Sequence, residues 1–85
     1  MKKETSESVL SLIRTVRFEF RELSSKKPND QVNKFKLKYV NQAIEAANEL
    51  LKDGKPYADF EKFNEEDLPT NSDVLMMLSL YLDVL

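Results

Sequence analysis

The 85-residue chain contains no cysteine and no histidine, and these two absences remove whole classes of chemistry. Without cysteine there is no disulfide framework and no thiolate nucleophile or metal ligand. Without histidine there is no Ser-His-Asp or Cys-His catalysis, no imidazole acid-base work, no ordinary structural zinc site and no haem ligation by imidazole. Glycine is nearly absent too: the single Gly54 cannot build a Gly-rich phosphate cradle. Long apolar runs are also missing. The most apolar segment, 74–85, has twelve residues and is interrupted by Asp83, short of the roughly 18 needed to span a bilayer. After the opening MKKETSES, the apolar residues are broken up by Arg14, Arg17, Glu19, Arg21 and Glu22, so the segment lacks the unbroken centre of a secretory signal. A soluble, cytoplasmic protein with no membrane partner is the expectation.

What remains is the composition of a small globular domain. Hydrophobic residues make up 41% and charged residues 33%, with a net charge of only −2, which argues against bulk disorder. The length suits one domain over 1–85. Pro28, Pro56, Pro69 and Gly54 divide it into three long segments free of helix breakers. In the first, Thr5 or Ser6 is a cap, and Val9, Ile13, Val16, Phe20 and Leu23 recur in steps of four and three, the spacing of one helical face. The pattern predicts a helix over 6–24. Asn29 or Asp30 then caps a second helix over 30–53. Its apolar residues, Val32 to Leu51, cover an arc of about 200°, which predicts a central helix with two neighbours. Gly54 is expected to adopt the left-handed conformation that ends it.

Between 55 and 70 the pattern is lost. Tyr57, Phe60 and Phe63 recur at intervals of three with acids close behind. This reads as a long connection whose aromatics anchor it to the bundle, packing being the simpler reading than a ligand platform. Thr70, Asn71 or Ser72 caps a third helix over 71–85, with Asp73 well placed in its first turn. The fold class is therefore an all-α three-helix bundle.

The third helix carries the main functional signal. Ten of the twelve residues in 74–85 are apolar, whereas an outer helix of a bundle needs an apolar stripe over less than half its circumference. The pattern stops at Leu85 without a Gly, a Pro or a basic last turn, as in a helix that continues into further residues or one that docks into a partner. From this surplus, Val74, Met77, Leu78, Tyr81, Leu82 and Leu85 are the expected interface with a protein partner or a second copy. Met76 and Met77 suit an adaptable surface.

Charge is segregated along the chain. Residues 1–40 carry ten Lys and Arg against five acids, and residues 41–85 carry three against ten. Arg14, Arg17 and Arg21 share one side of the first helix, with Phe18 beside them. Together with Lys34 and Lys38 they form a candidate anion-binding patch for nucleic acid or an acidic protein; the net negative charge and the absence of any nucleic-acid-binding motif weaken the nucleic-acid reading, and an acidic protein surface fits equally well. The competing structural reading pairs the second helix's lysines with Glu19 and Glu22 across a helical hairpin.

Catalysis would have to rest on carboxylates. A helical magnesium-dependent nucleotide hydrolase needs two pairs of carboxylates spaced by three. Glu19 and Glu22 supply one pair, but no second pair exists on the next helix, since Asn48 stands three residues after Glu45 and Lys52 three after Glu49. A calcium loop from Asp59 fails for want of its Gly and because Phe63 occupies a ligand position. The run Glu65, Glu66, Asp67 reads as solvated loop. No enzyme activity, cofactor or metal is expected, and the reading is a helical protein-interaction or assembly module.

Overall fold

A computed structural model describes residues 6–57 and 59–85; Thr5, one of the two expected caps of the first helix, lies outside them. Three helices follow one another: α1 (Ser6–Lys26), α2 (Lys34–Leu51) and α3 (Asn71–Val84), with a short 3-10 turn at Lys52–Gly54 closing α2. The predicted stripe of α1 faces inward. Val9, Ile13 and Phe20 are buried, and Val16 and Leu23 pack against the same core. From α2 come Leu37, Val40, Ala43, Ile44 and Ala47, and from α3 Val74, Met77, Leu78 and Tyr81.

The central helix is α1, not α2. It packs most extensively on α3 and also on α2, while α2 and α3 touch each other little. The wide apolar arc of α2 has a different second neighbour, the connection 55–70, whose Phe60, Phe63 and Leu68 pack against the core. Asn41 of α2 holds this connection: its Nδ2 donates to the Phe63 carbonyl at 3.0 Å and its Oδ1 accepts from the Phe63 amide at 2.9 Å. Two turns further on, Asn48 donates to the Glu61 carbonyl at 3.0 Å. The connection is mostly half-buried or exposed, and where its backbone turns inward at Phe63 it needs such partners, because an unpaired backbone group away from water costs about as much as a lost hydrogen bond. The aromatics then stack along the strap. Phe60 and Phe63 meet edge to face with centroids 5.0 Å apart, and Phe60 lies 6.5 Å from the Tyr81 ring.

Both ends of α2 depart from the sequence expectation. The helix begins at Lys34 because Asn33, not Asn29 or Asp30, caps it by accepting from the Lys36 amide at 2.8 Å. Residues 28–30 instead form a turn, closed by the Asp30 amide donating to the Lys27 carbonyl at 3.3 Å, and Gln31 and Val32 run on outside any helix. The Val32 amide donates to the Pro69 carbonyl at 2.9 Å, the Asn71 amide to the Asp30 carbonyl at 2.9 Å and the Ser72 amide to the Pro28 carbonyl at 3.0 Å. Gln31 and Thr70 form an antiparallel bridge, and Asn71 Nδ2 donates to the Lys27 carbonyl at 2.9 Å. Val32, read as helical, is buried in this segment. At the other end Lys52, not Gly54, takes positive φ, at 50°. A side chain in such a conformation is strained by about 1–3 kcal/mol. The start of α3 matches expectation: Thr70 Oγ1 accepts from the Asp73 amide at 3.2 Å, and Asp73 Oδ2 accepts from the Thr70 amide at 3.1 Å, a complete capping box.

Replacing Asn41 by Ala removes both bonds to Phe63 and strands its amide and carbonyl under the strap. The expected loss is about 1–3 kcal/mol of unfolding free energy, measured by urea denaturation. A change below roughly 0.5 kcal/mol would show that the strap does not depend on this side chain.

Candidate interaction surface

The six residues expected to meet a partner occupy the inner side of α3. Val74, Met77, Leu78 and Tyr81 are buried within the chain, and Leu82 and Leu85 are half-buried against the core. This corrects the expected interface, and the reason is coverage. Leu75, Ser79 and Leu82 share one flank of α3, and Ser79 Oγ accepts from Arg17 Nε of α1 at 2.8 Å, so that flank faces α1. The other flank meets the connection, where Met77, Phe60, Phe63 and Leu68 line one groove. Tyr81 is held from below by its hydroxyl, which donates to Asn48 Oδ1. Burial raises the Tyr81 phenol above its ordinary value, the Asn48 bond opposes that rise, and the Glu61 charge adds to it.

The apolar surplus of α3 nevertheless exists, on the outer side. Met76, Leu80 and Val84 are 59%, 39% and 46% exposed. Spaced by four, they form one line along the helix. At its upper end Met76 borders a shallow groove of about 380 Å³ with Tyr57, Phe60, Met77, Asp67 and Asp73 among its walls. The sequence contained this line. It was masked because nearly every position of α3 is apolar, so periodicity could not say which face the fold would cover.

The candidate anion patch does not assemble. Arg17 is committed to Ser79 in the seam between α1 and α3. Arg14, Phe18 and Arg21 are exposed on α1, Arg14 and Arg21 on the same flank. Lys34 and Lys38, four apart, leave α2 on the flank that carries the connection, where Lys34 lies 3.8 Å from Glu66. The hairpin pairing is seen in one instance: Lys36 Nζ lies 2.9 Å from Glu19 Oε2. That contact engages one of the two carboxylates of the half metal motif. Among the described residues no group of three or more carboxylates is placed to hold a metal ion, and no helix is long and apolar enough to cross a membrane.

A second apolar area lies on α2, at Phe35 and Tyr39, two residues of the 200° arc expected to meet two neighbours. Both are exposed, with their rings edge to face at 5.1 Å. The signal was their position at one edge of the 200° arc, beyond the reach of either neighbour. In comparisons with known protein families, curated proteins and solved structures, the chain matches none.

The two sides of α3 should respond oppositely to truncation. Leu78→Ala is expected to cost about 2–5 kcal/mol, as buried leucines do, and Leu80→Ala less than about 1 kcal/mol, measured by chemical denaturation. Tyr81→Phe should cost about 1–2 kcal/mol near neutral pH, through the lost bond to Asn48. A phenol that ionises less readily in the fold than in the unfolded chain supports the fold fully below about pH 10 and withdraws that support as the pH climbs through its raised value. Unfolding free energies followed up to pH 11 (about one unit above the ordinary phenol value) should therefore fall more steeply for the wild type than for Tyr81→Phe; parallel curves would contradict the assignment.

Proposed function

We propose that this protein is a non-catalytic helical interaction module of the cytoplasm, and that the outer face of α3 is the surface it offers to another protein. The observation that supports this reading is the line Met76, Leu80, Val84, which stays exposed after the fold has buried a core of its own. Isolated exposed apolar residues are ordinary on a protein surface, but a continuous line along one helix is the arrangement used when a helix docks through anchors spaced by about one turn. Met76 adds a flexible, polarizable side chain beside the groove under Tyr57, which suits a surface that adapts to its partner. The absence of cysteine fits a reducing compartment.

A photo-crosslinking amino acid placed at position 80 of the full chain, with position 22 on the exposed side of α1 as control, tests this in the native host. Discrete protein adducts are expected from position 80 and not from position 22. Equal yields from both positions, or none from position 80, would remove the outer face of α3 as an interaction surface.

A further inference from the structure

The outer face of α3 and the aromatic pair on α2 share no residue, and their rims carry opposite charge. Phe35 and Tyr39 are 69% and 47% exposed. Tyr39 also lines a groove of about 250 Å³ between α1 and α2, whose one acid, Glu19, is already held by Lys36. Between the aromatic pair and the connection stand Lys38, next to Phe35, and Lys34, 3.8 Å from Glu66, both exposed. The α3 face is bordered by Asp67, Asp73 and Asp83, which form no ion pair with a described residue, and on its Ser79 flank by a single cation, Arg17, so that acids outnumber bases around it three to one. The charge separation is thus hardly consumed inside the fold. Apart from Lys36 with Glu19, the ion pairs among described residues are Lys34 with Glu66 at 3.8 Å and Lys62 with Glu45 at 4.0 Å, both exposed, and such contacts contribute little.

We infer that the two faces meet between copies of this chain, the acid-rimmed face of α3 seating on the lysine-rimmed Phe35–Tyr39 pair of the next copy. This rests on the reading of α3 given above and names its partner. Charge selects the arrangement. Two α3 faces brought together would set Asp73 and Asp83 against their own copies, and two α2 faces would oppose Lys34 and Lys38 in the same way, whereas the mixed contact joins opposite signs around two apolar patches. The aromatic pair supplies the large, rigid side chains that carry binding energy at interfaces. Such a contact is head to tail, so each added copy leaves one face of each kind free.

The decisive experiment uses two blocked variants of the full chain, Phe35→Glu with Tyr39→Glu, and Met76→Glu with Leu80→Glu. All four positions are exposed, and circular dichroism verifies that each variant folds. Sedimentation should show the wild type associating beyond the 9.9 kDa monomer as concentration rises, each variant alone remaining monomeric, and their equimolar mixture forming a dimer through the one intact face on each. Persistent self-association of the α2 variant would mean that α3 faces pair with each other, and would overturn the inference. A wild type that stays monomeric would overturn it too, while adducts from position 80 to a different protein would leave the α3 reading standing. Lys38→Glu, a single exposed change, should by itself weaken association roughly tenfold or more. Raising the salt to about 1 M, where charges are screened beyond roughly 3 Å, should weaken wild-type association as well; insensitivity to salt would exclude the charge pairing.

Discussion

The hydrogen bonds that Asn41 and Asn48 make to the connection 55–70 are the constraint on which the rest of this fold depends. A long segment without secondary structure is uncommon in a compact domain, because its amides and carbonyls have no regular partners. Here a side-chain amide on α2 acts as a short piece of backbone: Asn41 offers one donor and one acceptor, and Phe63 takes both. With the strap fixed at that point and again through Asn48 at residue 61, Phe60 and Phe63 close the side of the core that α1 leaves open. Asn48 also accepts from the Tyr81 hydroxyl, which ties α3 to α2 although the two helices barely touch.

That arrangement decides what α3 can offer. Because α1 covers one flank and the strap the other, the inner face of α3 is used up by the protein's own stability. The outer face is left with Met76, Leu80 and Val84, and the rim beside it is acidic because the strap brings Asp67 to the groove that Met76 and Asp73 also line. The same packing leaves Phe35 and Tyr39 uncovered, since α1 reaches the Lys36 edge of α2 and the strap reaches the Asn41 edge. An apolar face with acids at its border and another with lysines at its border follow from one topology.

Much of the fold was legible from residue spacing. The stripe Val9, Ile13, Val16, Phe20, Leu23 located α1 and its buried side, and Thr70 with Asp73 located the start of α3, because helical periodicity and capping act over a few neighbouring residues. The start of α2 was not legible. Residues 28–32 hold apolar and cap-forming side chains that suit a helix, but a turn at 28–30 and the pairing of 28–32 with 69–72, distant in sequence, hold them out of one. Which side of α3 the fold covers was not legible for a related reason: in a helix apolar on nearly every side, spacing cannot distinguish the buried Leu78 from the exposed Leu80.

By itself, then, the sequence determined the class of the fold, the three helices, the aromatic strap and the excess of apolar surface on α3, all of which follow from composition and local period. The tertiary structure alone decided that α1 is the central helix, that the strap is bound by two asparagines, and that the excess faces outward along Met76, Leu80 and Val84. Those outcomes depend on which surfaces meet, and contacts between segments far apart in the chain leave no periodic trace in it.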